Sequence, residues 1–246
     1  MLAECRAQDL ACYRREYDFP FAETEPSHQE IAAVWHALSS LRREGILLHT
    51  QYDHASFLAH REQVWSSFVV EWSTITPRMQ RLLYAINAIF KPARMLAAGI
   101  ASGYAFISNA GAAIGVGREY AAQSLVGIEI DSHKAAQAAS NIRKVDRDGV
   151  AGIVEADAVK YIEDYPEPVD LLYLDAGEYD SKAIYLDILK AGRRSIHSGT
   201  ILLAHDSVRF AVDLKDYLAW VRDDSNCLAS VNVIIDNLGL EVSVVA

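Results

Sequence analysis

From Met95 to the C-terminus, short apolar runs alternate with stretches of helical periodicity, and this alternation limits the possible folds more than any other feature of the chain. Runs too short for helices read as buried strands, and helices between them return the chain so that successive strands lie parallel. The runs are residues 94–98, 125–130, 153–154, 169–174 and 201–204. A further helix is expected near residues 211–221, and the β-branched runs 231–235 and 240–245 flank Asn237-Leu238-Gly239 as a hairpin. The pattern predicts an α/β fold with a seven-stranded, mostly parallel sheet and a terminal antiparallel hairpin.

The first 90 residues read as helical. Ser27-His28-Gln29-Glu30 has the spacing of a capping box, and Ile31, Val34, Trp35, Leu38 and Leu41 follow at helical intervals until Gly45. Thr76-Pro77 predicts a second start, an N-cap with proline at the first helical position. Met79, Leu83, Ile86 and Phe90 then share one face, and Pro92 stops the helix. The expected division is an N-terminal helical lid, 1–91, and a sheet domain, 92–246. Among 246 residues, 51% are hydrophobic and 23% charged, enough for one sizeable core. A formal charge of -10 opposes nucleic-acid and anionic-membrane partners, which need clustered cations, and favours a small-molecule ligand. Cys5, Cys12 and Cys227 have neither disulfide nor zinc spacing and suit a reducing cytoplasm. No signal peptide or membrane span is expected, and the apolar N-terminal region leaves room for a homodimer.

Three features in chain order point to a nucleoside. The run 94–98 enters Gly99-Ile100-Ala101-Ser102-Gly103, a small-residue turn that lets backbone approach a ligand and presents amides at a helix start. The next run ends in Ile128-Glu129-Ile130-Asp131, where a carboxylate at a strand's carboxyl edge suits ribose hydroxyls. The third ends in Glu155-Ala156-Asp157-Ala158, with Asp157 placed for an adenine amino group.

With these parts in order, residues 76–246 resemble the Rossmann-like class I S-adenosylmethionine-dependent methyltransferases, especially the small-molecule O-methyltransferase branch. The resemblance implies that Gly99, Ala101, Ser102 and Gly103 form the methionine-side loop. It further implies that Glu129 holds the ribose, that Asp157 and Ala158 border adenine, and that Ile130 is among the cofactor-binding residues. Leu171-Leu172-Tyr173-Leu174-Asp175-Ala176-Gly177-Glu178-Tyr179 resembles that branch's fourth motif and puts Asp175 beside the transferable group. Leu203-Ala204-His205-Asp206 resembles its next strand end.

Two departures bear on the chemistry. The family usually carries an acid two positions before the first turn glycine, holding the α-ammonium group, and here that position is Ala97. An α-amino group has a pKa of about 7.7 to 8.0, so roughly a tenth is neutral near pH 7, and losing a carboxylate neighbour increases that share. The neutral amine is a nucleophile for the γ-carbon bound to sulfur. In this respect the chain resembles the bacterial azetidine-2-carboxylate synthases, which implies cyclisation of S-adenosylmethionine with release of methylthioadenosine. Methyl transfer to a small hydroxyl or amine is the alternative.

For either reaction Tyr104 and Tyr179 are the aromatics that motif position places near a sulfonium, and Trp72 is a further candidate. Asn141 and Ser207 are candidate contacts to the amino-acid end. The second departure is that Asp175, His205 and Asp206 only partly reproduce the divalent-metal ligands of the metal-dependent O-methyltransferases. No lysine or histidine is read as following Asp175 within its loop to serve as a base, so no catalytic metal is expected. A nucleoside sensor and a nicotinamide dehydrogenase fit less well, the latter because the turn lacks the full G-x-G-x-x-G pattern.

Overall fold

A computed structural model describes residues 3–13, 18–70, 72, 75–177 and 181–246. Its strands are β1 (Ala3–Arg6), β2 (Arg94–Ala98), β3 (Ser124–Glu129), β4 (Ala151–Glu155), β5 (Val169–Leu174), β6 (Ile196–His205), β7 (Cys227–Ile234) and β8 (Leu240–Val245). Its helices are α1 (Ser27–Arg43), α2 (His54–Ser67), α3 (Pro77–Phe90), α4 (Tyr104–Ala110), α5 (Ser132–Val145), α6 (Ala158–Glu163), α7 (Tyr185–Ala191) and α8 (Lys215–Val221). The strands form one sheet in the order β1-β7-β8-β6-β5-β2-β3-β4. Strand β8 pairs antiparallel with both β6 and β7, and the pairs β1·β7, β2·β3, β2·β5, β3·β4 and β5·β6 are parallel.

The period of two in each central strand divides the core between the two faces of the sheet. Met95, Ala97, Leu171, Tyr173, Ile201 and Leu203 share a cluster with Leu38 and Leu41 of α1, Leu82, Leu83 and Ile86 of α3, and residues of α4 and α5. Their neighbours Leu96, Ala98, Leu172, Leu174, Leu202 and Ala204 pack against Ile162, Ile188, Leu189, Tyr217 and Leu218 of α6, α7 and α8. No helix among the described residues is long and apolar enough to cross a membrane.

The sheet has eight strands where seven are predicted. The additional one, β1, is a four-residue edge strand, AECR, whose alternation is too brief to register against a helical background. Helix α2 is also unannounced, because its buried face combines Phe57 and Val64 with His60 and Arg61, so polar residues interrupt the apolar stripe. The capping box at Ser27 does not form: Pro26 occupies the N-cap and no side chain caps the helix. Helix α8 begins at Lys215, after turns, rather than near residue 211. At α3, by contrast, Thr76 Oγ1 accepts from Met79 N at 3.1 Å and Pro77 opens the helix as expected.

The acid of the failed capping box has another use. Glu30 is buried and accepts from Arg61 at 2.9 and 2.6 Å and from Arg81 at 2.6 Å, joining α1, α2 and α3. Removing the carboxylate leaves two buried guanidiniums without their anion. Glu30→Leu is therefore expected to lower the unfolding free energy by about 3–5 kcal/mol, read as an earlier urea midpoint at constant slope. A loss below about 1 kcal/mol would mean that the cluster contributes no more than a surface pair.

Candidate active site

Strands β3, β2 and β5 bring their carboxyl ends together. Gly99 N donates to Ile128 O and Asp175 N donates to Ala98 O, both at 2.9 Å. The approach leaves no room for a side chain at Gly99, where an added Cβ would lie 2.3 Å from Ala176 Cα, and its φ of +76° also suits only glycine comfortably. Ala101 and Gly103 continue the turn with φ of 47° and 86°. Glu129 fixes this turn from the neighbouring strand: Oε2 accepts from Ala101 N at 2.7 Å and Oε1 from Asp131 N at 3.1 Å. Asp157 Oδ1 caps α6 by accepting from Val159 N and Lys160 N at 2.9 and 3.2 Å.

These elements surround a cavity of about 570 Å³ lined by Gly99, Ala101, Glu129, Ile130, Asp157, Ala158 and Asp175, with Lys134 and residues 181, 183 and 184 on its rim. Most of the predicted nucleoside residues thus meet in one place. Ser102 and Gly103 close the turn behind it; Gly103 N donates to Ile100 O at 2.8 Å. A 70% exposure leaves the Ile130 side chain free to cover a planar ligand.

Three of the predicted catalytic side chains do not line this cavity. Tyr104 is buried beneath the N-terminal helices, where its hydroxyl accepts from Trp65 Nε1 at 2.9 Å and its ring meets Phe21 edge-on. Burial pushes its phenol up to about 12. Asn141 is spent on the main chain, donating to Val69 O at 2.8 Å and Ser102 O at 3.0 Å and accepting from Val69 N at 2.9 Å. Ser207 Oγ donates to Asn232 Oδ1 at 2.9 Å. In each case packing directs the side chain away from the cavity. Trp72 is 48% exposed, and Tyr179 lies outside the described residues.

Asp175 does reach the cavity, and the structure surrounds it with groups that sequence spacing conceals. Lys182 Nζ donates to Asp175 Oδ1 at 2.8 Å and to its carbonyl at 2.6 Å, and stands 3.5 Å from Asp206 Oδ2. His205 Nδ1 lies 3.3 Å from Asp175 Oδ2, and Tyr173 OH donates to the same oxygen at 3.2 Å. A lysine therefore does follow Asp175, seven residues on, contrary to expectation. The chain comes back on itself: Gly177 has φ of +146°, and a Cβ there would be 2.3 Å from Ser181 O.

Burial opposes ionisation of Asp175, but Lys182 and then His205 outweigh it and hold the carboxyl well below the usual range. Burial likewise opposes charge on Lys182 and on His205. Asp175, seconded by Asp206, more than compensates and raises both.

Ligand atoms of Asp175, His205 and Asp206 lie within 4.8 Å of one another, and neither buried ring nitrogen of His205 has a hydrogen-bond partner. Taken alone, this donor set suits a divalent ion. Lys182 changes the balance, because its ammonium already stands between the two carboxylates. The four side chains together do not fit a resident divalent metal.

No protein-family model matches the chain, and no curated protein matches it in sequence. Solved structures do match its fold. An O-methyltransferase described as putative, from Klebsiella pneumoniae, superposes with a TM-score of 0.59 at 16% identity over 79% of this chain and 91% of its own. The Bacillus cereus O-methyltransferase in complex with S-adenosylhomocysteine gives 0.58 at 16% identity over 79% and 92%. TomG, an O-methyltransferase of tomaymycin synthesis from Streptomyces achromogenes bound to S-adenosylmethionine, gives 0.53 at 18% over 81% and 92%. With its parallel strands, single reversed strand β8 and glycine turn after β2, this chain has the Rossmann-like fold of the class I methyltransferases.

Proposed function

We propose that the chain is an enzyme that consumes S-adenosylmethionine and transfers its methyl group to a small-molecule nucleophile beside Asp175. The observation that carries this reading is that Asp175 lines the cavity shared by Gly99, Glu129 and Asp157 and is itself bonded into a charged cluster with Lys182, His205 and Asp206. Gly99 and Ala101 would receive the methionine side, Glu129 the ribose, and Ile130, Asp157 and Ala158 the adenine. The ligands of the Bacillus cereus and Streptomyces achromogenes structures support this assignment. A positive charge at Lys182 favours the deprotonated form of a hydroxyl or amine brought next to it.

A second reaction is favoured by one specific observation. Ala97, buried in mid-sheet between Gly127 and Tyr173, offers no carboxylate to an α-ammonium group, and Asp175 is engaged by Lys182. A neutral α-amine can attack the γ-carbon: the new C–N bond closes a four-membered ring, the C–S bond breaks, and methylthioadenosine leaves as the nitrogen loses its proton. Lys182 and His205 stand beside Asp175 in their charged forms, so they act on an outside acceptor through their positive charge rather than as free bases.

Product identity distinguishes the reactions. Purified protein is incubated with S-adenosylmethionine alone and with a panel of phenols, amines and hydroxy acids, and the nucleosides are identified by mass spectrometry. S-adenosylhomocysteine formed only with an acceptor is expected. Methylthioadenosine with a cyclic amino acid from S-adenosylmethionine alone would establish cyclisation instead, and Ala97→Glu should then slow that reaction by re-anchoring the ammonium. Binding has its own check: Gly99→Ala is expected to weaken S-adenosylmethionine by roughly tenfold or more in calorimetry, from backbone strain and displacement of Ala176. Unchanged affinity would remove the ligand from this turn.

A further inference from the structure

We infer that Lys182 is a built-in cation: its ammonium takes the place between Asp175 and Asp206 that a divalent ion would otherwise fill, so the cluster works without a metal. The inference uses the proposed function only in placing this cluster beside the reacting group.

Three observations lead to it. The ligand atoms of Asp175, His205 and Asp206 are gathered as closely as a metal site requires. His205 is 1% exposed, and both its ring nitrogens lack hydrogen-bond partners although Nδ1 lies 3.3 Å from Asp175 Oδ2. Lys182 is itself mostly covered, at 12% side-chain exposure, and its Nζ makes its two short contacts to Asp175 while facing Asp206. Two carboxylates with little solvent around them require a cation, and a tethered ammonium meets that need without the entropy cost of capturing a free ion. An ammonium can donate to an imidazole nitrogen, but the Lys182 Nζ contacts are to Asp175 and Asp206, so none of its hydrogen bonds reaches His205. A site containing the same three ligands without the lysine charge would have two anions and a free imidazole, the requirements for Mn²⁺ or another divalent ion.

The test follows the ion rather than the reaction, so it stands whether or not S-adenosylmethionine is the substrate. Mn²⁺ is titrated into the full chain while the electron paramagnetic resonance signal of free Mn²⁺ is recorded. The wild type is expected to take up no stoichiometric ion, whereas Lys182→Met should bind one Mn²⁺ at least about tenfold more tightly, because one opposing charge has gone. Lys182→Arg should behave as wild type, and adding Asp206→Asn to Lys182→Met should abolish the gain. Stoichiometric binding by the wild type would overturn the inference without any variant. So would a folded Lys182→Met or Lys182→Gln with no gain, or a gain that survives Asp206→Asn. For whichever product the wild type forms, turnover should persist after exhaustive dialysis against a chelator, and its loss with rescue by Mn²⁺ would also overturn the inference.

Discussion

Gly99 stands where β2 and β5 come so close that only a hydrogen fits between them, and the geometry of the cavity follows from that contact. Because Asp175 N is bonded to Ala98 O, the first residue beyond β5 is held against the turn beyond β2. The turn must then leave the sheet sharply, which the positive φ values at Gly99, Ala101 and Gly103 accomplish. Glu129 completes the arrangement from β3. Its carboxylate accepts from Ala101 and Asp131, so the loop after β2 and the loop after β3 are fixed relative to each other before any ligand arrives. Such preorganisation reduces the ordering cost of binding.

The N-terminal helices are fastened to this turn by polar contacts as well as apolar packing. From α5, Asn141 clasps both main-chain groups of Val69 and also Ser102 O, Gln137 donates to Val69 O, and Lys144 donates to Ser67 O. One buried amide therefore touches the end of the α2 segment and the glycine turn together. That placement explains why the Asn141 side chain is unavailable as a ligand contact: its amide is committed to Val69 and Ser102.

Much of the sheet was legible because its central strands are buried on both faces and consist of continuous apolar runs; the bounds 94–98, 169–174 and 240–245 match the strands observed. The edges were harder. Strand β4 begins at Ala151-Gly152, residues with little β preference, and β1 is four residues long. That most of the residues proposed for the adenosyl side line one cavity has a related reason: they sit at or just beyond strand ends, where chain position determines spatial position. The catalytic side was not legible. Lys182 joins Asp175 only through a loop that turns back at Gly177, and Tyr104 and Ser207 point into packing chosen by neighbours far away in the chain. Residue type and spacing do not encode those directions.

The nucleophile's protonation state connects the two halves of the site. Ala97 and Tyr173 are register partners on one face of the sheet, so the small residue lies beside a large one whose hydroxyl reaches Asp175. A carboxylate at position 97 would add a third buried anion to Asp175 and Asp206, which already share the Lys182 ammonium. With Ala97 at that position, Lys182 and His205 face only the two carboxylates of Asp175 and Asp206. Under the proposed function, a substrate amine or hydroxyl entering beside Asp175 would meet a carboxylate whose negative charge is already countered, with an ammonium near it, and both conditions favour losing a proton over keeping one. On the same proposal, Ala97 and Lys182 would therefore act in the same direction, toward a nucleophile free to react at the sulfonium's carbon substituents.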